Sequence, residues 1–415
     1  MLDDSKDETF AFIRLDIDRF KMINSFYGAA EGDRLLRCMA HNICGVLSAY
    51  KTYTYGRLNS DVFGICVAVE KEQDALLIAQ KIREQVKKNG ELRCYLETSA
   101  GCYIIRDKEM EVSAIYEHAV IAAQECKGQY MHHEALYTEQ MGKEMQREQQ
   151  IINEMDTALE EKQFVVYFQP KYELDGYTPR GAEALVRWKK PDGTMVSPGE
   201  FIPVFEKNGF IIKLDYYVWD QVCQLIATAL RAGRKPDPIS VNVSRVNLYN
   251  PEFLESLVNL VEKYKIPPKY LHLELTESAF SDDARMIQNA VDYLHKAGFT
   301  ILMDDFGSGY SSLNTLKDIP VDILKLDMKF MEKSKNTKRS ADIVQMVVAM
   351  ADKLGMPVIA EGVETKEQAD FLGRIGCDII QGYYYAKPMS MEEFEQLLNK
   401  YPYRDIVQKG IGNDI

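Results

Sequence analysis

Eight apolar runs, most of them rich in β-branched residues, fill the second half of this chain, and most are followed by a helical pattern. The runs are FVVYFQP (164–170), GAEALVRW (181–188), ISVNVS (239–244), YLHLELT (270–276), FTILMDD (299–305), VDILKLD (321–327), PVIAEGV (357–363) and CDIIQGYY (377–384). Between them lie helical stretches such as LDYYVWDQVCQLIATALRA, NPEFLESLVNLVEKY, DDARMIQNAVDYLHKAG and RSADIVQMVVAMADKLG. A parallel strand pair needs a crossover of this kind, and strand–helix units in series close into a barrel. The expected fold class is α/β, with a TIM-like barrel in this half.

The polar residues at or near the ends of these runs narrow the chemistry. Glu183, Asn242, Glu274, Asp304, Asp305 and Glu361 each sit at or just past the end of a run, and Lys325, Asp327 and Gln381 hold equivalent places. A series of oxygen ligands at strand ends is how a parallel barrel builds a metal site at one mouth. Oxygen donors favour magnesium or manganese over zinc; no Cys or His joins the set, and His272 lies inside a strand. Asp304 and Asp305 are adjacent and would repel unless cations sit between them. One carboxylate bridging two ions roughly 3.5–4 Å apart suits in-line phosphoryl displacement. Lys325 would then hold the attacking water or neutralise charge on the phosphate oxygens. Each position also has a plainer reading. Asp305 before FGSGYSS could cap a helix, Lys325 could pair with a neighbouring Asp, and Glu364 and Glu367 suit a helix start. Taken together at one mouth, the set reads as a metal site.

A chain of 415 residues implies two domains or three. Residues 9–140 alternate strand and helix patterns in an order that suggests an α/β sandwich with antiparallel strands. EQMGKEMQREQQIINEMDTALEEKQ (139–163) is dense in helix formers and reads as a linker helix, with Met145, Ile151, Ile152, Met155 and Leu159 at helical spacing. The expected divisions are a first domain at 1–138, a linker helix at 139–162, the barrel at 163–403 and a tail at 404–415. The net charge of −13 argues against duplex nucleic acid as a partner. No apolar run is long enough to span a membrane, the acidic start MLDDSKDETF has no signal-peptide character, and the eight scattered Cys suggest reduced thiols.

Several motifs in order carry a resemblance. EALVRW with FQPK upstream, then NVSR, ELTES, DDFGSGYSSL, LKLD, AEGVE and QGYYYAKP downstream, resemble the EAL-domain cyclic di-GMP phosphodiesterases over residues 164–401. The resemblance implies a modified TIM (β/α)8 barrel that hydrolyses cyclic di-GMP to linear pGpG with magnesium or manganese at a two-metal site. It implies Glu183, Asn242, Glu274 and Asp304 as ligands of one metal and Asp304, Asp305 and Glu361 as ligands of the second. Lys325 matches the lysine on the catalytic water, Gln381 a glutamine that helps hold the metal–water cluster, and Asp327 a further site aspartate. Glu277 matches a glutamate anchoring the loop 305–312, which in this family orders metal binding and dimer contacts. Gln169, Arg187 and Asp215 match ligand-contacting positions, and a homodimer through this domain is usual.

The first half resembles a GGDEF domain of the diguanylate cyclase type, carried by LDIDRFKMINSFYGAAEGDRLL (15–36) and by RLNSDVF (57–63) at the place of the signature. Asn59 and Ser60 replace its two glycines, which alters a tight hairpin, and Val62 replaces its acidic residue. The family's inhibitory RxxD motif is absent, its place reading YKTY (50–53). Asp16 matches a metal aspartate, and Asn24 and Asp33 match guanine-contacting positions. Cyclase activity is not expected, since valine ligates no metal. Two readings stand for this domain: a structural remnant, or a GTP-sensing regulator of the barrel. Asn24 could instead support a turn and Asp33 a helix start. For the whole chain the expectation is a phosphodiesterase, the alternative a non-catalytic cyclic di-GMP receptor or scaffold. Its expected location is the cytoplasm, alone or as the cytoplasmic part of a larger, membrane-attached protein.

Overall fold

Strand alternation in the first half sets a two-faced sheet. The computed structural model describes residues 8–88, 97–128, 132–174, 178–250, 252–281, 284–307, 321–328 and 337–400. Two units divide the chain, Met1–Gln150 and Ile151–Ile415. The first holds β1 (Thr9–Ile17), α1 (Phe20–Tyr27), α2 (Ala29–Leu47), β2 (Tyr53–Asn59), β3 (Val62–Val69), α3 (Glu72–Lys88), β4 (Thr98–Ile105), α4 (Val112–Cys126) and β5 (Glu134–Leu136). The sheet order is β2-β3-β1-β4-β5, antiparallel except for the β4–β5 pair. Ala11, Ile13, Leu15 and Ile17 alternate along β1 into one core with Leu35, Met39 and Ile43 of α2 and Ile78 and Ile82 of α3. Phe10 turns to the opposite face, against Ile105 and Ile115. Helices therefore cover both faces, as period-2 burial requires. Helix α2 begins at Ala29, so Asp33 lies in its second turn rather than at its start.

Helix α5 (Glu139–Glu160) runs from the first unit into the second. Its Ile151 and Ala158 are buried with Phe164, Trp188, Phe201 and Phe205.

The second unit begins with β6 (Phe164–Glu173), β7 (Pro179–Lys189), β8 (Met195–Val196), α6 (Pro198–Asn208), α7 (Ile211–Arg231), β9 (Ile239–Asn242), α8 (Arg245–Leu248) and α9 (Phe253–Tyr264). It continues with β10 (Leu271–Thr276), α10 (Ala284–Lys296), β11 (Thr300–Phe306), β12 (Ile323–Asp327) and α11 (Thr337–Lys353). It ends with β13 (Val358–Glu361), α12 (Lys366–Arg374), β14 (Ile379–Ile380) and α13 (Met391–Lys400). The order β6-β14-β13-β12-β11-β10-β9-β7 closes through β6–β7 into a barrel, with β8 paired outside on β7. Each of the eight apolar runs supplies one barrel strand. Strand β6 is antiparallel to both its neighbours, whereas the others run parallel. That reversed strand is the departure from a regular (β/α)8 barrel. The run 377–384 gives only a two-residue strand, with Gln381 just beyond it. Gly382 lets the chain pass close to its neighbour there: a Cβ would lie 2.0 Å from the Val363 carbonyl oxygen. Residues 308–312 of the loop expected at 305–312, and the expected tail at 404–415, lie outside the described residues.

Candidate functional site

Side chains on one face of a strand recur every second residue, and the barrel uses this to fill its lumen with polar groups. Lys325, in the middle of β12, is fully buried. Its Nζ meets carboxylates from four other strands: Glu183 Oε2 at 3.3 Å, Asp304 Oδ1 at 3.0 Å, Glu274 Oε2 and Glu361 Oε1. One carboxylate oxygen from each of Glu183, Glu274 and Glu361 lies within 4.8 Å of the others. Residues 142 positions apart in sequence, such as Glu183 and Lys325, are thus brought to one point.

Polar neighbours hold this cluster in place. Asn242 Nδ2 donates to Glu183 Oε1 at 3.0 Å. Gln381 Nε2 donates to Glu183 Oε2 at 2.6 Å and to Gln169 Oε1 at 3.2 Å, and Gln169 Nε2 donates to the Ala386 carbonyl at 3.2 Å. Gln169 therefore stands beside Gln381 in the wall. Asp327 is level with Glu361 across β12 and β13. Glu277 Oε2 accepts from the Gly307 amide at 3.4 Å, at the start of the loop it is expected to anchor.

Asp304 and Asp305 sit where the β11–β12 register slips between Met303 and Phe306. Such a bulge re-aims side chains. Asp305 takes φ +58°, a left-handed conformation uncommon for a non-glycine residue, and its amide donates to Asp304 Oδ1 at 2.9 Å. Asp304 stays buried while Asp305 is exposed, so two neighbours in sequence present carboxylates to different surroundings.

The electrostatics follow from burial against charge. Burial raises the carboxyls of Glu183 and Asp304 above the ordinary range, Glu274 adding to the rise in both and Lys325 opposing it. Burial would also raise Glu274, but Lys171 and Lys325 overcome it and bring the group down to about 2. Burial works against the Lys325 ammonium; Glu183, Glu274 and Asp304 outweigh it and raise its pKa.

Next to the cluster opens a cavity of about 470 Å³, lined by Arg187, Glu206, Asp215, Asn242, Ser244 and Thr276 among others. Arg187 Nη1 donates to the carbonyl of its neighbour Val186 at 3.0 Å. Asp215 Oδ2 accepts from the Ser244 amide at 3.1 Å and from Asn247 Nδ2 at 2.6 Å. Burial pushes the Asp215 carboxyl up to about 8 against those two donors, with Glu206 adding to the rise. Ser244 and Asn247 had no distinguishing sequence signal beyond NVSR.

Lys171, the last residue of FQPK, had no role assigned from the sequence. It is buried, with Nζ donating to Ser240 Oγ at 2.6 Å and to Glu274 Oε1 at 3.0 Å. The available signal was its period-2 spacing from Gln169 just past the apolar run 164–170, which puts both on one face of the strand.

In the first unit, Asp16 pairs directly opposite Val62 across β1 and β3. Asp16 Oδ2 is held by Lys127 Nζ at 3.0 Å and by Arg14 Nη1 at 3.3 Å. Asn24 Oδ1 is buried without a hydrogen-bond partner among the described residues, and Asp33 is exposed. The turn at Ser60 has φ +23°, and Ser60 O accepts from Arg57 Nε at 2.8 Å.

Comparison with known proteins agrees with this architecture. An EAL domain model matches residues 152–388, and a diguanylate cyclase GGDEF domain model matches residues 2–133. The bifunctional diguanylate cyclase/cyclic di-GMP phosphodiesterase MucR of Pseudomonas aeruginosa is 31% identical over 390 residues, covering 93% of this chain and 57% of MucR. Cyclic di-GMP phosphodiesterase PdeR of Escherichia coli is 30% identical over 397 residues, covering 94% of this chain and 59% of PdeR. The chain thus spans little more than half the length of these curated relatives. Among solved structures, the PaMucR phosphodiesterase in complex with c-di-GMP superposes with a TM-score of 0.56 at 35% identity, covering 59% of this chain and 99% of that one. The chain belongs to the EAL domain family and carries a GGDEF domain ahead of its EAL barrel.

Proposed function

We propose that this chain is a divalent-cation-dependent phosphodiesterase that hydrolyses cyclic di-GMP to linear pGpG at the barrel mouth. The observation that carries this reading is the gathering of Glu183, Glu274, Asp304 and Glu361 around one buried cationic atom, beside a cavity lined by Arg187. The names of relatives such as PdeR support the substrate.

The donors fit magnesium or manganese. All are oxygens, and the Lys325 ammonium already occupies the centre as a cation would. Glu183, Asn242, Glu274 and Asp304 would hold one ion, and Asp304, Asp305 and Glu361 a second. Such ions, when bound, supply the Lewis acidity that activates a water and neutralises charge on phosphorus oxygens. The chain's own residues do the rest. Arg187 presents donors suited to a phosphate oxygen at the cavity wall. Gln381 fixes Glu183 by its Oε2, leaving Asn242 to fix Oε1. Lys325, released from the centre, keeps an ammonium proton aimed at the attacking water or the phosphate oxygens. Asp215 and Gln169 would border the ligand, Asp327 would complete the site beside Glu361, and Glu277 would anchor the loop after β11.

In the first domain we read no cyclase activity. Val62 stands where the signature has an acidic residue, and Lys127 and Arg14 already neutralise Asp16. Asn24, with its unpartnered oxygen, and the exposed Asp33 favour retained GTP binding. A homodimer through the barrel is part of the same reading.

The test is hydrolysis of cyclic di-GMP by the purified chain with magnesium or manganese, with and without GTP, resolved by chromatography. Conversion to pGpG is expected. Tight binding of cyclic di-GMP without conversion under either metal would refute the enzyme reading in favour of a receptor. Sedimentation at micromolar concentration checks the dimer.

A further inference from the structure

Glu274 differs from the other carboxylates of the cluster in having each oxygen assigned to a different lysine. Its Oε2 faces the centre, against Lys325. Its Oε1 faces the opposite way and accepts from Lys171 Nζ at 3.0 Å. Lys171 comes from β6, three strands away from β10 around the barrel, so its side chain reaches through the lumen. The ammonium is not free to wander. It also donates to Ser240 Oγ at 2.6 Å, and Ser240 Oγ in turn donates to the Ala182 carbonyl at 3.3 Å. Ser240 is level with Glu183 on β7, and Glu274 is level with Asn242 on β9. Lys171 and Ser240 thus tie the floor of the site to two of the strands that carry its donors. Gln169 and Lys171 stand two residues apart on β6, the spacing that puts both on one face of a strand.

We propose that Lys171 is a positioning residue: by holding Glu274 Oε1 it makes Glu274 a one-oxygen ligand, with Oε2 alone offered to a cation at the centre. This rests on the metal-site reading above. Without Lys171, Glu274 Oε1 loses its ammonium partner and the carboxylate is freer to rotate about its last bond, so the donor is held less firmly for the cation. Outer partners that orient a metal-binding group commonly affect metal affinity by roughly 10–100-fold.

A purely electrostatic role predicts the opposite sign. Removing a positive charge from beside a cation site would tighten cation binding. The direction of change therefore separates orientation from charge.

The experiment is calorimetric titration of Mn²⁺ into the full chain, as parent, Lys171→Met, Lys171→Gln and Ser240→Ala, at one pH. Tryptophan emission confirms the fold of each. Lys171→Met, similar in length but without a donor, is expected to bind Mn²⁺ about 10-fold more weakly. Lys171→Gln, which keeps a neutral donor, should recover part of the loss. Ser240→Ala keeps the charge but removes the 2.6 Å tether and Ser240's own hydrogen bond to Glu274, and should weaken binding in the same direction by less. Should Lys171→Met fail to fold, Ser240→Ala decides. Mn²⁺ binding by the folded Lys171→Met at or above parental affinity, or by Ser240→Ala in its place, overturns the proposal while leaving the metal site standing. A parent that takes up no Mn²⁺ overturns the metal-site reading itself, and with it this proposal. At saturating Mn²⁺, kcat of Lys171→Met should fall with KM for cyclic di-GMP little changed, since Lys171 is not among the residues lining the ligand cavity.

Discussion

Replacing Lys325 by Met tests whether the ammonium is the internal counter-ion of the barrel mouth. Two of its ion pairs have lengths of 3.3 and 3.0 Å, to Glu183 and Asp304. At an effective dielectric of about 20, each corresponds to a gross attraction of about 5 kcal/mol, much of it offset by the cost of burying the charges. Removing one partner of a buried pair costs about 3–5 kcal/mol, because the charge left behind has no compensation. Here four carboxylates would be left around an apolar side chain. The expected loss in a chelator is therefore about 3–5 kcal/mol, against a total stability of roughly 5–15 kcal/mol for a domain. Urea unfolding followed by tryptophan emission reads this directly. The chain has two tryptophans, and both Trp188 and Trp219 are buried in the barrel unit. The signal thus reports on that unit alone. Millimolar Mn²⁺ should stabilise the variant more than the parent, because no ammonium competes with it, while hydrolysis of cyclic di-GMP is lost. A variant within about 1 kcal/mol of the parent in chelator would refute the reasoning, since that is the size of a surface ion pair.

Three further perturbations probe other parts of the site. Glu183→Ala should lower turnover by more than the roughly 10–100-fold expected for an outer partner, with the tryptophan transition retained; parental turnover would show that Glu183 is not a ligand. Asp305→Asn keeps a side chain that tolerates left-handed backbone, so stability should move by less than about 0.5 kcal/mol. The Mn²⁺ concentration needed for half-maximal hydrolysis should rise more than the Kd for cyclic di-GMP, and equal losses of both would count against a two-ion site. Asp215 carries a carboxyl raised to about 8, so the folded state binds its proton more tightly than the unfolded state does. Its contribution to stability is complete below about pH 4 and is lost as pH rises toward 8, at no more than about 1.4 kcal/mol per unit. Asp215→Asn should flatten that slope between pH 6 and 8 in urea midpoints; an unchanged slope would mean the carboxyl is ionised throughout.

Much of the barrel could be read from the sequence because its strands are nearly continuous apolar runs broken or closed by polar residues. Glu183 within β7, Lys325 within β12, and Glu274 and Asp304 toward the ends of β10 and β11 stood out for that reason. The direction of β6 did not. The signal was Asp175-Gly176 between two runs, a pair that favours a hairpin over a helical crossover. Lys171 entered only as the last residue of FQPK, just past its apolar run, and only tertiary closure reveals what it meets. The cavity partners Ser244 and Asn247 were invisible for a related reason: their role depends on Asp215, about 30 positions earlier, across a helix packing that no local pattern encodes. In the first domain, the start of helix α1 carries no local capping signal, since Arg19 adopts a left-handed conformation there and supplies no capping side chain.

The shortness of β14 decides where the barrel is least securely closed. Among the described residues this two-residue strand meets β6 through Ile379 with Glu173 and Ile380 with Tyr172, and β13 through two pairs as well. Beyond them the join depends on the Phe168–Met389 bridge and the stack of Phe168 on Phe394. Gln169 and Gln381 face each other across this seam. In hydrogen–deuterium exchange the amides of the seam should be the first of the barrel to label, opening through brief local excursions while β10 and β11 remain protected.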